Sequence, residues 1–213
     1  MTTARDTVLA RIRAALTDVP DHEEPGTPER AYRPAHVSDE PAALLDLLAD
    51  HLTDYRAHVH RTTPDGLPAL LARLLADRGS RTVAVPAGLP AGWLAQAAAA
   101  EVPDDASLTA HRLDEVDSVV TGCALAVAET GTIVLDSGPG QGRRVLTLVP
   151  DHHVCVVRAD QVVASVAQAL PRLDPARPQT WISGPSATSD IELDRVEGVH
   201  GPRTLEVVLL LVP

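Results

Sequence analysis

The sequence has no lysine, no asparagine and no phenylalanine among its 213 residues. The 18 basic residues are therefore all arginines, so the chain cannot form a Schiff base, anchor pyridoxal phosphate or supply the lysine of a P-loop. Any anion site must instead use arginine, helix N-termini or loop N–H groups. Because aromatic residues make up only 2% of the chain, leucine, valine and alanine must form its core.

Charge and cysteine content narrow the class of protein further. The net charge of −11 predicts a soluble chain and argues against nucleic-acid binding through a basic face. Cys123 and Cys155 lie in apolar stretches, and two thiols are too few for an iron–sulfur cluster or a structural zinc site. They are expected to be buried free thiols of a reducing compartment. Residues 1–16 have no apolar signal core and no run of 18 apolar residues exists, so we expect a cytoplasmic protein without a membrane span.

Segments with helical and strand patterns alternate along the chain. A helix over 3–16 and a proline-rich linker form a predicted extension, residues 1–37, which precedes a domain over 38–213. In that domain the patterns predict helices over 38–55 (capped by Ser38 or Asp39), 67–75, 91–100 and 161–170 (capped by Asp160). They predict strands over 57–61, 82–85, 119–128, 132–135, 153–157, 180–182 and 205–212. Recurring strand–turn–helix units are typical of an α/β fold with a parallel or mixed sheet.

Three glycine-rich turns follow predicted strands, and in open α/β sheets ligands bind beyond the carboxyl ends of strands. The first turn spans Glu129–Gly142. Glu129, between an apolar strand and Gly131, could be a partly buried base or nucleophile, or an exposed hairpin residue. The segment Gly138–Gly142 could wrap an anion with Arg143 as its counter-charge, or it could be a flexible surface loop.

The other two turns lie near the C-terminus. Ser183–Glu192 directly follows a strand and offers the hydroxyls of Ser186 and Thr188 at a predicted helix start, where N–H groups are free. In Gly198–Pro202, His200 lies between two glycines. It could approach a ligand and titrate near neutrality, or it could bond only to the backbone.

The remaining histidines indicate no metal site. In an extended strand His152 and His153 point to opposite faces and cannot share one metal ion, so at most one of them faces a cleft. His58 and His60 could share a face, but no third ligand is spaced with them. Trp181 is predicted to lie in the core.

Four segments together resemble one family. They are A-E-T-G-T-I-V-L at 128–135, H-H-V-C-V-V at 152–157, S-G-P-S-A-T-S-D-I-E at 183–192 and G-V-H-G-P at 198–202. In order and spacing they are similar to the lactate-utilisation protein C family, whose core is called the LUD domain, and the resemblance covers about residues 40–213. Ser189 departs from the family motif, which commonly has alanine there. A capping box from Ser189 to Glu192 is therefore a local possibility.

The resemblance implies a Rossmann-like three-layer sandwich similar to the glucosamine-phosphate deaminase, ribose-phosphate isomerase and CoA-transferase superfamily. It also implies a role in oxidising L-lactate to pyruvate with two partner proteins that carry the iron–sulfur motifs. This chain, without a cofactor motif of its own, is then expected to be a non-redox subunit or accessory protein that binds a small anion. The expected catalytic residues are Glu129 and His200. The expected ligand-binding residues are Thr130, Gly131, Gly138, Gly140, Arg143, Gly184, Ser186, Thr188, Asp190 and Gly201.

Two other functions stay open. The turn Glu129–Gly131 resembles the Glu-x-Gly turn of CoA-transferases, which favours a free-standing enzyme in which Glu129 attacks a thioester. A sugar-phosphate isomerase with a carboxylate base is a variant of this hypothesis, weakened by the missing lysine. The same fold could also be a binding module that senses a metabolite, because fold does not determine function.

Overall fold

The computed structural model describes residues 3–18, 32–188, 196–197 and 201–211. The chain divides into two compact units, Met1–Arg33 and Pro34–Pro213. The first unit carries helix α1 (Ala4–Ala15), whose N-cap Thr3 forms a reciprocal capping box with Asp6. The predicted N-terminal helix is thereby confirmed.

The second unit contains the remaining helices and all the strands within the described ranges. Its helices are α2 (Pro41–Asp54), α3 (Leu67–Asp77), α4 (Ala110–Leu113) and α5 (Val166–Ala169). Its strands are β1 (His58–Thr62), β2 (Thr82–Val85), β3 (Ala100–Pro103), β4 (Ser118–Thr121), β5 (Leu125–Val127), β6 (Thr132–Leu135), β7 (His152–Arg158), β8 (Val162–Val163), β9 (Thr180–Ile182), β10 (Ala187–Thr188), β11 (Val196–Glu197) and β12 (Thr204–Leu210).

The main sheet has six parallel strands in the order β1-β12-β7-β4-β2-β3. A second sheet, β8-β5-β6-β9, is mixed: β5 runs parallel to β8, while β6 runs antiparallel to β5 and β9. A two-stranded antiparallel ribbon joins β10 and β11. The predicted α/β class and the antiparallel pair around Gly131 are both confirmed.

Each face of the main sheet packs against an apolar layer. On one face, the buried leucines of α3 pack against β2, β4, β7 and β12. On the other face, α2 and the second sheet pack together against β7 and β12. Helix α2 is built for this position, because its buried residues, Leu44, Leu45, Leu48 and Leu52, form one apolar stripe. Burial on both faces also explains the near-continuous apolar run of β12, which Glu206 interrupts.

One predicted helix, over 91–100, is wrong. The segment instead forms successive turns in which the N–H groups of Trp93 and Ala97 donate to carbonyls three residues earlier, and Ala100 opens strand β3. Alanine is the best helix former, but helix propensity is a weak preference that tertiary contacts override, and Gly92 lies within the first turn of this short segment. Pairing of residues 100–103 with β2 therefore determines the structure.

A second predicted helix, over 161–170, is mostly wrong. The amide of Gln161 donates to the carbonyl of Cys123 at 2.7 Å, and Val162–Val163 pairs with β5. Only α5 is α-helical, with short 3₁₀ turns at the two ends of the predicted segment, and its cap is Ser165 rather than Asp160. The β-branched valines suit a strand better than a helix, so the edge of the second sheet captures them.

Local contacts also correct two boundaries. Helix α2 is capped by Glu40, whose carboxylate accepts from the N–H of Ala43, and not by Ser38 or Asp39. The predicted strand over 119–128 divides at Gly122, because the Gly122 N–H donates out of the strand to a loop carbonyl.

Candidate functional site

The order of the main sheet reverses beside β2. The chain adds β3 on one side of β2 and then β4 on the other, so the crevice beyond their carboxyl ends is where a ligand is expected. Here the glycine-rich loop, residues 138–142, contacts the segments that follow β2 and β4, and it lines a pocket of about 790 Å³ in which the predicted residues Gly138 and Arg143 both take part. The N–H of Gly140 donates to Ala87 O at 2.8 Å, and the N–H of Gly122 donates to Gly140 O at 2.8 Å.

This glycine-rich loop is packed rather than flexible. Gly138 and Gly140 are buried, and so is Gln141, whose side-chain oxygen accepts from the N–H of Asp136 at 2.6 Å. A Cβ added at Gly142, where φ is +72°, would lie 2.8 Å from Cβ of Pro86. Close backbone packing therefore accounts for the glycines at 140 and 142, while the predicted anion site of this loop stays a prediction.

Arg143 pairs with a carboxylate that lies beside this loop. Its Nε donates to Asp104 Oδ1 at 2.6 Å, and its Nη2 donates to Leu108 O at 2.8 Å. The Asp104 side chain is only 4% exposed, so the guanidinium neutralises a buried carboxylate. The predicted counter-charge is thus already paired within the fold.

A cavity of about 250 Å³ lies where two of the predicted turns meet. The N–H of Ser186 donates to Pro202 O at 2.9 Å and so joins the second turn to the third. Three predicted ligand-binding residues, Gly184, Ser186 and Gly201, line this cavity. The rest of the lining is Arg144, Thr147, Leu148, His153, Thr180, Trp181, Ile182, Ser183, Pro185, Pro202 and Leu205.

Arg144 is the cation of this cavity. It is exposed at the start of a 3₁₀ helix, Arg144–Thr147, and within the ranges that the structure describes it makes no ion pair. The turn between Arg143 and Arg144 therefore sends one guanidinium to Asp104 and the other to the cavity. Arg143 lines a neighbouring pocket with Gly138, so its predicted role at an anion site stays a prediction, and the sequence analysis did not single out Arg144.

His153 contributes a buried imidazole to the same cavity. Its Nε2 and Thr121 Oγ1 share a hydrogen bond of 2.7 Å. Burial, together with the charge of His152, lowers the pKa of His153 to about 3, so the ring is neutral at physiological pH. His152 lies on the opposite face of the sheet, among residues that line a different cavity. Only His153 of this pair lines the cavity that the turns form, so the prediction that at most one of the two histidines faces the cleft is confirmed.

Trp181 lines the cavity, so its predicted place in the core is wrong. The side chain is 39% exposed, and its Nε1 donates to Gln179 Oε1 at 3.1 Å. The reason is topological. Strand β9 is the edge of the second sheet, and an edge strand buries less than a central one.

Glu129 lies outside the cavity lining. It is half-buried, and its Oε1 accepts from the backbone N–H of His36 at 2.5 Å. Thr130 is exposed, and its hydroxyl donates to Thr132 Oγ1 at 2.8 Å. Thr132 in turn bonds to the hydroxyl of Ser183 at 2.8 Å, which links this turn to the cavity wall.

The glycines of the first and second turns both press against the C-terminal end of α2. A Cβ added at Gly131 would lie 2.7 Å from Cβ of His51, and one at Gly184 would lie 2.6 Å from Cβ of Tyr55. Both residues have positive φ, at +57° and +86°. Close approach to the helix therefore requires glycine at each position, whatever either turn binds.

The remaining predicted residues are only partly described. Thr188 belongs to β10, so the helix start predicted there is wrong: the backbone pairs with Val196. Asp190, His200 and the capping box Ser189–Glu192 lie outside the described residues. His60, for which the sequence offered no carboxylate partner, bonds through Nε2 to Glu206 Oε2 at 2.6 Å across the sheet.

The comparisons with known proteins identify the family. Residues 45–210 match the model of the LUD domain, and because the match spans most of the chain, the protein belongs to the LUD-domain family. A lactate utilization protein C from Deinococcus radiodurans is 46% identical over 173 residues, covering 79% of this chain and 80% of the relative. Another, from Halalkalibacterium halodurans, is 28% identical over 184 residues, covering 78% of this chain and 77% of the relative.

A solved structure supports the same conclusion. The crystal structure of a DUF162 family protein from Deinococcus radiodurans matches with a TM-score of 0.68 and 38% identity, covering 82% of this chain and 99% of that one. The resemblance found in the sequence motifs and the expected α/β sandwich are both confirmed. None of the helices in the described ranges has the length and apolar character needed to cross a bilayer.

Proposed function

We propose that this protein is a non-redox subunit or accessory protein in the oxidation of L-lactate to pyruvate. In this proposal, the cavity between the second and third turns binds a small carboxylate. The single observation that supports the pathway is the name of the relatives, lactate utilization protein C, at up to 46% identity over most of both chains.

The chemistry of the cavity supports a small carboxylate as the ligand. Arg144 supplies a planar guanidinium, which matches a carboxylate in two parallel hydrogen bonds. The neutral imidazole of His153 and the hydroxyl-bearing wall at Ser183 suit the oxygen substituent of a 2-hydroxy or 2-oxo acid. Leu148 and Leu205 add apolar surface for a methyl group. A volume of about 250 Å³ is below that of most drug-binding pockets and suits a molecule of this size.

The cysteines support a non-redox role. Electron transfer from lactate needs a redox carrier, and the iron–sulfur clusters of proteins are held by several cysteines. Cys123 and Cys155 are both buried, and a side-chain hydrogen bond with Cys155, together with burial, raises the pKa of Cys123 well above its ordinary value. We therefore assign the electron path to two partner subunits that carry iron–sulfur clusters, and substrate or product binding to this chain.

A deletion strain tests the pathway and the cavity together. We expect loss of growth on L-lactate but normal growth on pyruvate, rescue by the wild-type gene and no rescue by Arg144→Gln. Arg112→Gln, at an exposed arginine far along the chain from the cavity lining, is the matched control and should rescue fully. A tagged wild-type chain should co-purify with iron–sulfur proteins. Unchanged growth on lactate together with no co-purified partner would contradict the proposal.

A further inference from the structure

A second cavity, of about 390 Å³, lies at the amino ends of the main-sheet strands. It has no lining residue in common with the first cavity. Ser118, His152 and Thr204 begin β4, β7 and β12 and are direct neighbours in register, so their side chains share the face that α3 covers. They form a polar row at the amino end of the sheet, while α3 packs against valines and leucines of the same strands. His152 belongs to the lining of this cavity, as His153 belongs to that of the first.

His152 has an unmet hydrogen bond. The residue is only 2% exposed, and its Nδ1 bonds to Ser118 Oγ at 2.7 Å. Ser118 Oγ bonds in turn to Ser80 Oγ at 2.5 Å. Within the described part of the chain, Nε2 of His152 is a buried side-chain atom without any partner. Native proteins rarely leave such an atom unsatisfied, so the geometry indicates a missing partner at Nε2.

The charges around the cavity indicate what that partner is. Burial and the neighbouring charges of Arg78 and His58 lower the pKa of His152 to about 4, so the ring is neutral at physiological pH and the Arg78 guanidinium lies near it. If Ser80 donates to Ser118 and Ser118 donates to Nδ1, then Nε2 carries the hydrogen and donates. A donor beside the Arg78 guanidinium suits the oxygen of a carboxylate.

The exposed side of the same cavity carries acidic residues. Asp114 and Glu115 are exposed lining residues for which the described part of the chain shows no ion pair. Two other lining carboxylates are engaged. Asp117 accepts from the backbone N–H groups of Arg81 and Thr82, and Asp151 pairs with Arg203 at 3.5 Å. The free acidic groups suit an ammonium.

We propose that this second cavity binds a small zwitterion of the amino-acid class. Its carboxylate lies against His152 Nε2 and Arg78, and its ammonium faces Asp114 and Glu115. The site is separate from the carboxylate cavity of the proposed function, because the two share no lining residue. Its failure would therefore leave the proposed function intact, and the reverse also holds.

Titration of the full chain with matched probes tests this proposal. The probes are L-alanine, L-serine and L-glutamate, set against propionate and ethylamine, which each lack one of the two charges of alanine. We expect a zwitterion to bind and to shift the imidazole ¹⁵N signals of His152, while propionate and ethylamine bind at least about tenfold more weakly. Arg78→Gln should weaken zwitterion binding about 10- to 100-fold, because one charge-assisted hydrogen bond is lost.

Arg144→Gln is the control, since Arg144 lines only other cavities, and it should leave zwitterion binding unchanged. Propionate binding as tightly as L-alanine would overturn the proposal in favour of a simple anion site. Binding of none of the three amino acids would overturn it in favour of an ordered water at Nε2. Equal weakening by Arg78→Gln and Arg144→Gln would place the bound zwitterion elsewhere and would also overturn it.

Discussion

Two adjacent arginines offer a direct test of how charge is used in this protein. Arg143 and Arg144 have the same side chain and neighbouring positions, but one pairs with the buried Asp104 and the other lines the cavity. The change to glutamine at each position removes the same charge and leaves a similar stem. We expect Arg143→Gln to lower stability and to leave ligand binding unchanged. We expect Arg144→Gln to leave stability unchanged and to weaken ligand binding.

The size of the first effect follows from what Asp104 loses. Its side chain is 4% exposed, while that of Arg143 is 46% exposed, so the pair is half-screened by solvent. Glutamine would leave the carboxylate only the backbone N–H of residue 143, at 3.1 Å, as a donor from this residue. Breaking such charged hydrogen bonds costs about 2–3 kcal/mol after allowance for screening. In a domain of this size that corresponds to a fall in melting temperature of about 4–12 °C.

Thermal melts and titrations with L-lactate and pyruvate measure both halves of the prediction. Arg144→Gln should melt within about 1–2 °C of wild type, since exposed substitutions away from specific contacts change stability by about 0.5 kcal/mol or less. Its ligand affinity should fall about 10- to 100-fold. The reasoning is refuted if Arg143→Gln melts like wild type, or if it loses ligand while Arg144→Gln retains it.

Three further predictions concern pH and the turns. Because the pKa of His152 is lowered to about 4 and that of His153 to about 3, their stabilising effect is complete above pH 6.5 and is lost as pH falls, when the unfolded chain takes up protons first. Urea titrations should show a loss of roughly 2–3 kcal/mol per histidine between pH 6.5 and 4.5, and a flat profile would contradict these pKa values. Gly131→Ala should cost roughly 2–4 kcal/mol by the same assay, against about 1 for Gly79→Ala, since both have positive φ but Gly79 has open space around it; equal costs would refute the packing argument. Glu129→Gln should lower stability by at most about 1 kcal/mol and leave lactate binding intact, because an amide oxygen can still accept the backbone N–H; complete loss of a thioester-dependent acyl transfer would instead support the CoA-transferase alternative.

Local sequence patterns predicted correctly those strands whose residues have a high propensity for β-structure. Strands β2, β6 and β9 begin and end at the predicted residues, because short β-branched or aromatic runs between turn residues carry a clear signal. Alanine-rich and valine-containing segments were harder. Whether residues 100–103 and 162–163 pair with a sheet edge depends on strands far away in sequence, and no local pattern contains that information.

The candidate site was predictable at the level of loops but not of side chains. Glycine patterns located the turns that line the cavity, and strand geometry limited the adjacent histidines to at most one on its side of the sheet, which is His153. Arg144 and Trp181 were missed. The position of the Arg144 side chain depends on the direction of a single turn, and the exposure of Trp181 depends on the strand order of the second sheet.

Glycine in a turn has two physical explanations, and the structure separates them here. A turn needs glycine where a ligand approaches its backbone closely, and it needs glycine equally where a helix does so. The sequence alone cannot distinguish these two cases. Gly131 and Gly184 both contact the end of α2, and the Thr132–Ser183 hydrogen bond joins their turns. A substitution at either glycine would therefore disturb folding and the cavity wall together, so loss of binding there would not identify a ligand contact. Arg144, which has no such packing role, is the position at which loss of binding with retained stability would do so.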